Sequence, residues 1–251
     1  MDKRQRKQTR PSGPGTLGAR AYAEIREKIL QGVYALGAPL SRRQIAEELR
    51  MSFVPISEAL QRLEQEGLVE SKPRVGTRVR APSAEDIRQR YTLREALESQ
   101  AARKFVECAG AEQKLELQRM AAHLDQLYSS CAVADPGSDY LYSVHTYHMN
   151  FHLRIAESAG CGLLRAAIER EQVLIFNWLF DVTVHHQKRP PRSHRDLSEV
   201  LCGDDPEAAD RAMRSHIRYG LEEIIGAIVT GTQSRWRATG DGSTAKATPV
   251  A

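Results

Sequence analysis

The sequence predicts a mostly α-helical protein in two parts. Residues 17–80 read as an N-terminal winged helix-turn-helix, and residues 84–230 as a C-terminal all-helical bundle. Two observations carry this reading. The first part holds amphipathic helical stretches followed by two short β-like runs joined by a basic turn. The second keeps a helical period almost throughout, with no βαβ alternation and no internal repeat.

Residues 1–16 lack periodicity and are rich in Lys, Arg, Gly and Pro, so they are expected as a disordered basic arm. Residues 17–31 carry apolar side chains at helical spacing, and Gly32 follows as a stop. Ser41 is placed to cap a helix through Arg50. After a turn at Met51–Ser52, residues 54–66 form the next amphipathic helix, which ends at Gly67. The runs LVESKP and GTRVRAP then make a hairpin across a basic turn at Pro73–Gly76. Ser83 with Asp86 predicts a capping box, and helices are expected near 84–108, 111–130, 138–159, 161–186, 193–202 and 206–229. Asp205 before Pro206 marks the last of these starts. Residues 231–251 are small and polar, as in a disordered tail.

Composition narrows the class. Hydrophobic content of 41% and charged content of 27% suit an ordinary globular protein. No stretch reads as a membrane span or a secretory signal. The four cysteines form no CxxC pair and no disulfide framework, so a reducing cytoplasmic setting is expected. Residues 1–80 hold 16 Lys or Arg against 9 Asp or Glu, whereas the remainder holds 20 against 23. A basic front and a mildly acidic back point the front towards a polyanion.

A steep crossing of the helices at 42–50 and 54–66 would lay the second in a DNA major groove, its N-terminal residues at base edges. Ser52, Phe53, Val54, Pro55 and Ser57 are the candidates there. Arg42 and Arg43 can reach phosphate or a base, and Lys72, Arg74, Arg78 and Arg80 on the hairpin can hold backbone or minor groove.

Four histidines stand out behind this module. His148 and His152 lie four apart, on one helix face. His194 and His216 fall on two later helices. Helices that each turn a histidine inward can build a metal site at a bundle core. His123, His145, His185 and His186 read instead as ordinary core or surface residues; as neighbours, the last two point ~100° apart.

The stretch PLSRRQIAEEL through ISEALQRLEQEGLVESKPRVGTRV resembles the GntR family of bacterial transcription regulators. The helical remainder resembles the FCD ligand-binding domain of its FadR subfamily, on LREALE and NFHLRIAESAG. The resemblance implies a divalent metal held by His148, His152, His194 and His216, with His148 standing where the family usually has an acid. An all-imidazole set suits Zn²⁺, Ni²⁺ or Cu²⁺ over harder cations; zinc is favoured on availability, with nickel the next choice. Open metal positions would take a small carboxylate effector. Arg94 is left between a fork for that carboxylate and an i, i+4 ion pair with Glu98, and Asn177 is placed in the pocket lining. The chain also departs from the family pattern. Arg50 replaces a usual glycine of the turn, and Phe53 and Ser57 replace two usual arginines; Gly76 keeps the wing glycine.

The expected function is a homodimeric repressor on double-stranded operator DNA, cytoplasmic in a bacterium and nucleoid-associated when bound. One rival is a DNA-binding dimer whose helical half holds no metal. The other is a helical-bundle metalloenzyme, for which Glu157, Glu169 and Asp181 form no catalytic pattern.

Overall fold

The computed structural model describes residues 16–133, 138–183 and 190–229; side chains at 132–133, 138, 173–183 and 227–229 are outside the description. The arm up to residue 15, the tail from 231 and the pair His185–His186 therefore lie outside the described residues, as does the Asn177 side chain.

Among the described residues the order is α1 (Leu17–Leu30), β1 (Pro39–Leu40), α2 (Arg42–Leu49), α3 (Phe53–Gln65), β2 (Val69–Lys72) and β3 (Gly76–Val79). There follow α4 (Ala84–Cys108), α5 (Ala111–Val133), α6 (Ser138–Ser158), α7 (Gly162–Thr183), α8 (Ser193–Leu201) and α9 (Pro206–Val229). This is the mostly helical, two-part architecture that the sequence predicts.

The front module closes on helix-period apolar faces. Ile25 and Ile29 of α1 meet Ile56, Leu60 and Leu63 of α3, and Leu68, Val69 and Val79 seal the core from the sheet side. Ser41 Oγ caps α2 by accepting from the Gln44 N–H at 3.3 Å. β2 and β3 form the expected hairpin, with Glu70 opposite Arg78 and Lys72 opposite Gly76. A third strand, β1, pairs antiparallel with β3 and gives the order β1-β3-β2. Two residues are too few to show strand alternation, which is why β1 escapes sequence reading. Pro39 is tolerated there because β1 is an edge strand.

α2 ends at Arg50, whose backbone is left-handed at φ 53° and ψ 45°. This is the position where the family pattern has glycine, and a Cβ there costs roughly 1–2 kcal/mol. α3 starts at Phe53, one residue earlier than the apolar period indicates.

α4 is the spine of the bundle. It packs along α9 and touches α6, α7 and α8. Its start is the predicted capping box: Ser83 Oγ accepts from the Asp86 N–H at 3.1 Å, and Asp86 Oδ2 accepts from the Ser83 N–H at 2.9 Å. Arg80, at the end of the wing, donates to Asp86 Oδ1 at 2.7 Å, so hairpin and spine share one carboxylate. The Ser83 hydroxyl and N–H hold that carboxyl below its ordinary range, helped by the charges of Arg80 and Arg90. Asp205 caps α9 through the N–H groups of Glu207 and Ala208, as its place before Pro206 predicts. No helix among the described residues is long and apolar enough to cross a membrane.

Arg50→Gly removes the left-handed strain at the cost of some backbone entropy. It is expected to raise the unfolding free energy by roughly 0.5–1 kcal/mol in urea titration.

Candidate metal centre and nucleic-acid interface

Three helices bring the singled-out histidines to one point. α6 supplies His148 and His152, α8 supplies His194 and α9 supplies His216. His148, His152 and His194 are buried, and His216 is half-buried. His148 Nε2 lies 3.0 Å from His152 Nε2 and 3.3 Å from His194 Nε2. One ring nitrogen each of His148, His194 and His216 falls within 4.8 Å of the others. His216 stands 5.3 Å from His152 between ring centroids and 5.1 Å from His194.

The far side of each ring explains its orientation. His194 Nδ1 lies 2.8 Å from Asp125 Oδ1, and Asp125 also accepts from the backbone N–H of His194 and of Arg195. Burial pushes the Asp125 carboxyl up, but the His194 ring and the two N–H groups outweigh it and hold it below its ordinary value. An ionised acceptor fixes the proton on His194 Nδ1 and leaves the Nε2 lone pair facing inward. His152 Nδ1 lies 2.5 Å from Glu98 Oε2, a close contact that sets the carboxylate against the ring. Glu98 is also buried; desolvation pushes its carboxyl up, but the Arg94 guanidinium beside it outweighs this and pulls it down to about 2. His148 Nδ1 pairs with the Tyr128 hydroxyl at 2.8 Å. Ser193 Oγ stands 3.5 Å from His216 Nδ1.

This donor set fits a divalent cation. Nitrogens ~2.0–2.1 Å from a metal are ~3.0 Å apart at a right angle and ~3.4 Å apart at a tetrahedral angle. The Nε2 separations of 3.0 and 3.3 Å match these spacings. Ligating histidines also tend to donate their second N–H to a carboxylate; His194 does so to Asp125, and Glu98 lies against His152.

Arg94 resolves towards the ion pair. Its Nε donates to Glu98 Oε1 inside the core, so the guanidinium holds a carboxylate of the chain itself. Sequence reading passed over Asp125 and Tyr128. The signal was there: they are i, i+3 on the apolar face of α5, among Ala121 and Leu124, where a lone acid needs a partner. His123 packs edge-on against Tyr147 and His145 is buried, in keeping with their reading as ordinary residues. Glu157 is exposed and pairs with Arg154 at 3.0 Å.

On the front module, Arg42, Arg43, Ser52, Phe53, Val54, Lys72, Arg74 and Gly76 are exposed, Ser57 is half-buried, and Arg78 pairs with Glu70 at 2.5 Å. The structure corrects one expectation. Pro55 is buried with Ile56 against the module's core, because the third helical position turns inward; it cannot face a base. Gly76 has φ 103°, a backbone that a side chain would strain, so its place in the wing is conformational.

Asp125→Ala leaves the His194 ring and two backbone N–H groups without their acceptor inside the bundle. Chemical denaturation is expected to show a loss of about 3 kcal/mol, as for one partner removed from a buried pair.

Comparison with known proteins agrees with this architecture. Residues 17–79 match the bacterial regulatory proteins of the gntR family, and residues 89–219 match the FCD domain. The chain is 26% identical over 233 residues to the HTH-type transcriptional repressor RspR of Escherichia coli K12, covering 86% of this chain and 92% of that one. It is 30% identical over 211 residues to a "Probable D-xylose utilization operon transcriptional repressor" of Paenarthrobacter nicotinovorans, covering 80% and 86%. Among solved structures, a GntR transcriptional regulator from Rhodococcus sp. RHA1 superposes with a TM-score of 0.66 at 23% identity, over 84% of this chain and 98% of that one. E. coli McbR/YncC gives the same score at 20% identity, over 85% and 99%. With a winged helix-turn-helix in front and an FCD domain behind, this chain belongs to the GntR family: it is a DNA-binding transcription regulator and not an enzyme.

Proposed function

We propose that the protein is a homodimeric repressor that senses a small organic acid at a divalent metal centre. The observation that carries this reading is the convergence of Nε2 atoms at 3.0 and 3.3 Å behind carboxylate-anchored rings. His148, His152, His194 and His216 would hold the metal, with zinc favoured. When bound, the cation supplies positive charge and open positions for a carboxylate. Glu98 and Asp125 keep the rings of His152 and His194 in register, and burial keeps water from competing. Arg42, Arg43 and the wing residues Lys72, Arg74 and Arg78 would hold phosphate. Dimerisation follows from the short reach of one recognition helix, which needs two half-sites for specificity.

α6 also offers a route from the centre to the front module. Tyr142, six residues before His148, donates from its hydroxyl to Glu27 Oε1 of α1 at 2.6 Å. Burial and this hydrogen bond push the phenol up to about 12, so it stays protonated as a donor. Movement of α6 on effector binding would bear directly on α1, whose apolar face packs α3.

Elemental analysis of protein purified from metal-replete medium is expected to give one divalent metal per chain. His148→Asp should retain it, and the double variant His152→Ala/His194→Ala should lose it. A thermal-shift panel of C4–C6 dicarboxylates and hydroxy-acids should then find a ligand that stabilises metal-loaded protein alone; at one hundred times its dissociation constant the gain is ~2.7 kcal/mol. Metal-free parent protein would leave the reading without its site.

Tyr142→Phe should leave DNA affinity in the absence of that ligand unchanged and cut the ligand-induced change in affinity roughly fivefold, the weight of one hydrogen bond in the coupling. Fluorescence anisotropy on operator DNA checks it. A response equal to the parent's would place the coupling elsewhere.

A further inference from the structure

The exposed start of α3 carries an apolar pair with no protein partner in view. Phe53 is 58% exposed and Val54 66% exposed, side by side in the first turn. Behind them Pro55 and Ile56 are buried, so the turn that presents the pair is anchored to the core. Ser52 makes no side-chain cap to the helix. One turn on, Ser57 is short and uncharged and lets the helix approach a surface closely. The same module carries exposed cations on its other elements: Arg42 and Arg43 on α2, Arg50 at the turn before α3, and Lys72 and Arg74 on the wing. A contiguous apolar spot on a soluble surface marks an interaction site. The module that presents this one carries exposed positive charge, so a second copy of the module would be repelled. The occupant that complements both features is anionic at its edges and apolar at its floor. The major groove of B-DNA is such a surface wherever thymine presents its C5-methyl group.

We propose that Phe53 and Val54 read thymine methyl groups, so that the half-site is specified there by apolar contact and not by arginine–guanine hydrogen bonds. This rests on α3 being the recognition helix. Phe53 stacks its ring edge or face on a methyl, and Val54, ~100° round the helix, reaches the neighbouring step. Ser57 donates to or accepts from any base and adds little discrimination. The surrounding arginines and lysines supply affinity through phosphate and leave the sequence preference to the pair.

The test uses full-length protein and duplex DNA selected from a random library. The enriched half-site should carry thymines under the start of α3. Replacing each thymine in turn by deoxyuridine removes only the methyl. For the two contacted positions this should weaken binding about fourfold each, the value of one buried methyl-sized group. Phe53→Ala should bind the same site more weakly and lose the penalty at one position. Phe53→Arg should select guanine there. If the enriched site is insensitive to deoxyuridine at every thymine, the proposal is overturned. It is equally overturned if Phe53→Ala leaves DNA selection intact but changes the oligomeric state in light scattering, which would make the pair a protein contact. The triple variant Arg43→Ala/Arg74→Ala/Arg78→Ala separates the underlying reading. If it binds as tightly as the parent, the winged helix does not grip DNA as described, and the methyl proposal falls with it.

Discussion

Two buried carboxylates organise the helical half. Glu98 and Asp125 sit almost wholly out of solvent, where an unmatched ion costs several kcal/mol. Each has a cation or N–H groups beside it. Glu98 lies between Arg94 and His152, and Asp125 collects the His194 ring, two backbone N–H groups and Arg195. These pairings tie α4 to α6 and α5 to α8, which is the arrangement that brings the histidines together. Packing and site chemistry are therefore one constraint. The helices cannot slide past each other without separating an ion from its partner, and the rings cannot turn without doing the same. This also accounts for a polar stripe on the inner face of α4, where Arg94, Glu98 and Ser99 are buried among Ile87, Tyr91 and Phe105.

Much of the fold was legible because its signals are local. Caps at Ser41, Ser83 and Asp205, periods of 3.6 and the glycine of the wing act over a few residues, and each recurs in the structure. The helix-sharing pair His148 and His152 was legible for the same reason. What stayed hidden depends on pairing across long separations. β1 exists only because β3 is beside it. Asp125 reaches a histidine 69 residues away, and Tyr128 one 20 residues away. Arg94 was ambiguous in sequence because both of its candidate partners were anionic; burial of Glu98 one turn away decided it. Pro55 failed as a base-contacting residue because helix phase, invisible until the start of α3 is known to be Phe53, turns it inward.

The placement of charge on the front module follows a pattern. The resemblance leads one to expect guanidinium groups on the recognition helix and glycine at the turn before it. In this chain the first turn of α3 is uncharged, and a cation stands at the turn instead, on Arg50, in a backbone conformation that costs free energy. Exposed positive charge thus lies on α2, at the turn and on the wing, and the first turn of α3 has none. Rim cations give salt-dependent affinity without sequence information. On the proposed reading, discrimination comes from the start of α3, where Phe53 and Val54 are the exposed apolar side chains.

The contact between the two halves differs in kind from either interior. Within the bundle, apolar packing and matched ions leave few alternatives. Between the halves, α1 meets α7 beside an open pocket of about 290 Å³ lined by Tyr22, Arg26, Glu66, Leu68, Ala166, Glu169 and Arg170. Hydrogen bonds such as Tyr142 to Glu27, and the Arg80 to Asp86 ion pair, complete the join. Each is worth ~1 kcal/mol. Coupling between an effector site and a DNA site typically amounts to ~1–3 kcal/mol. Polar contacts of this kind lie in that range, so on the proposed reading an effector that favours one arrangement of α6 need shift only one or two of them. A dry interface of core density would resist such a shift, and a flexible tether would not transmit it. On the proposed reading, the polar contacts between the halves are what allow binding at the histidines to be felt at α3.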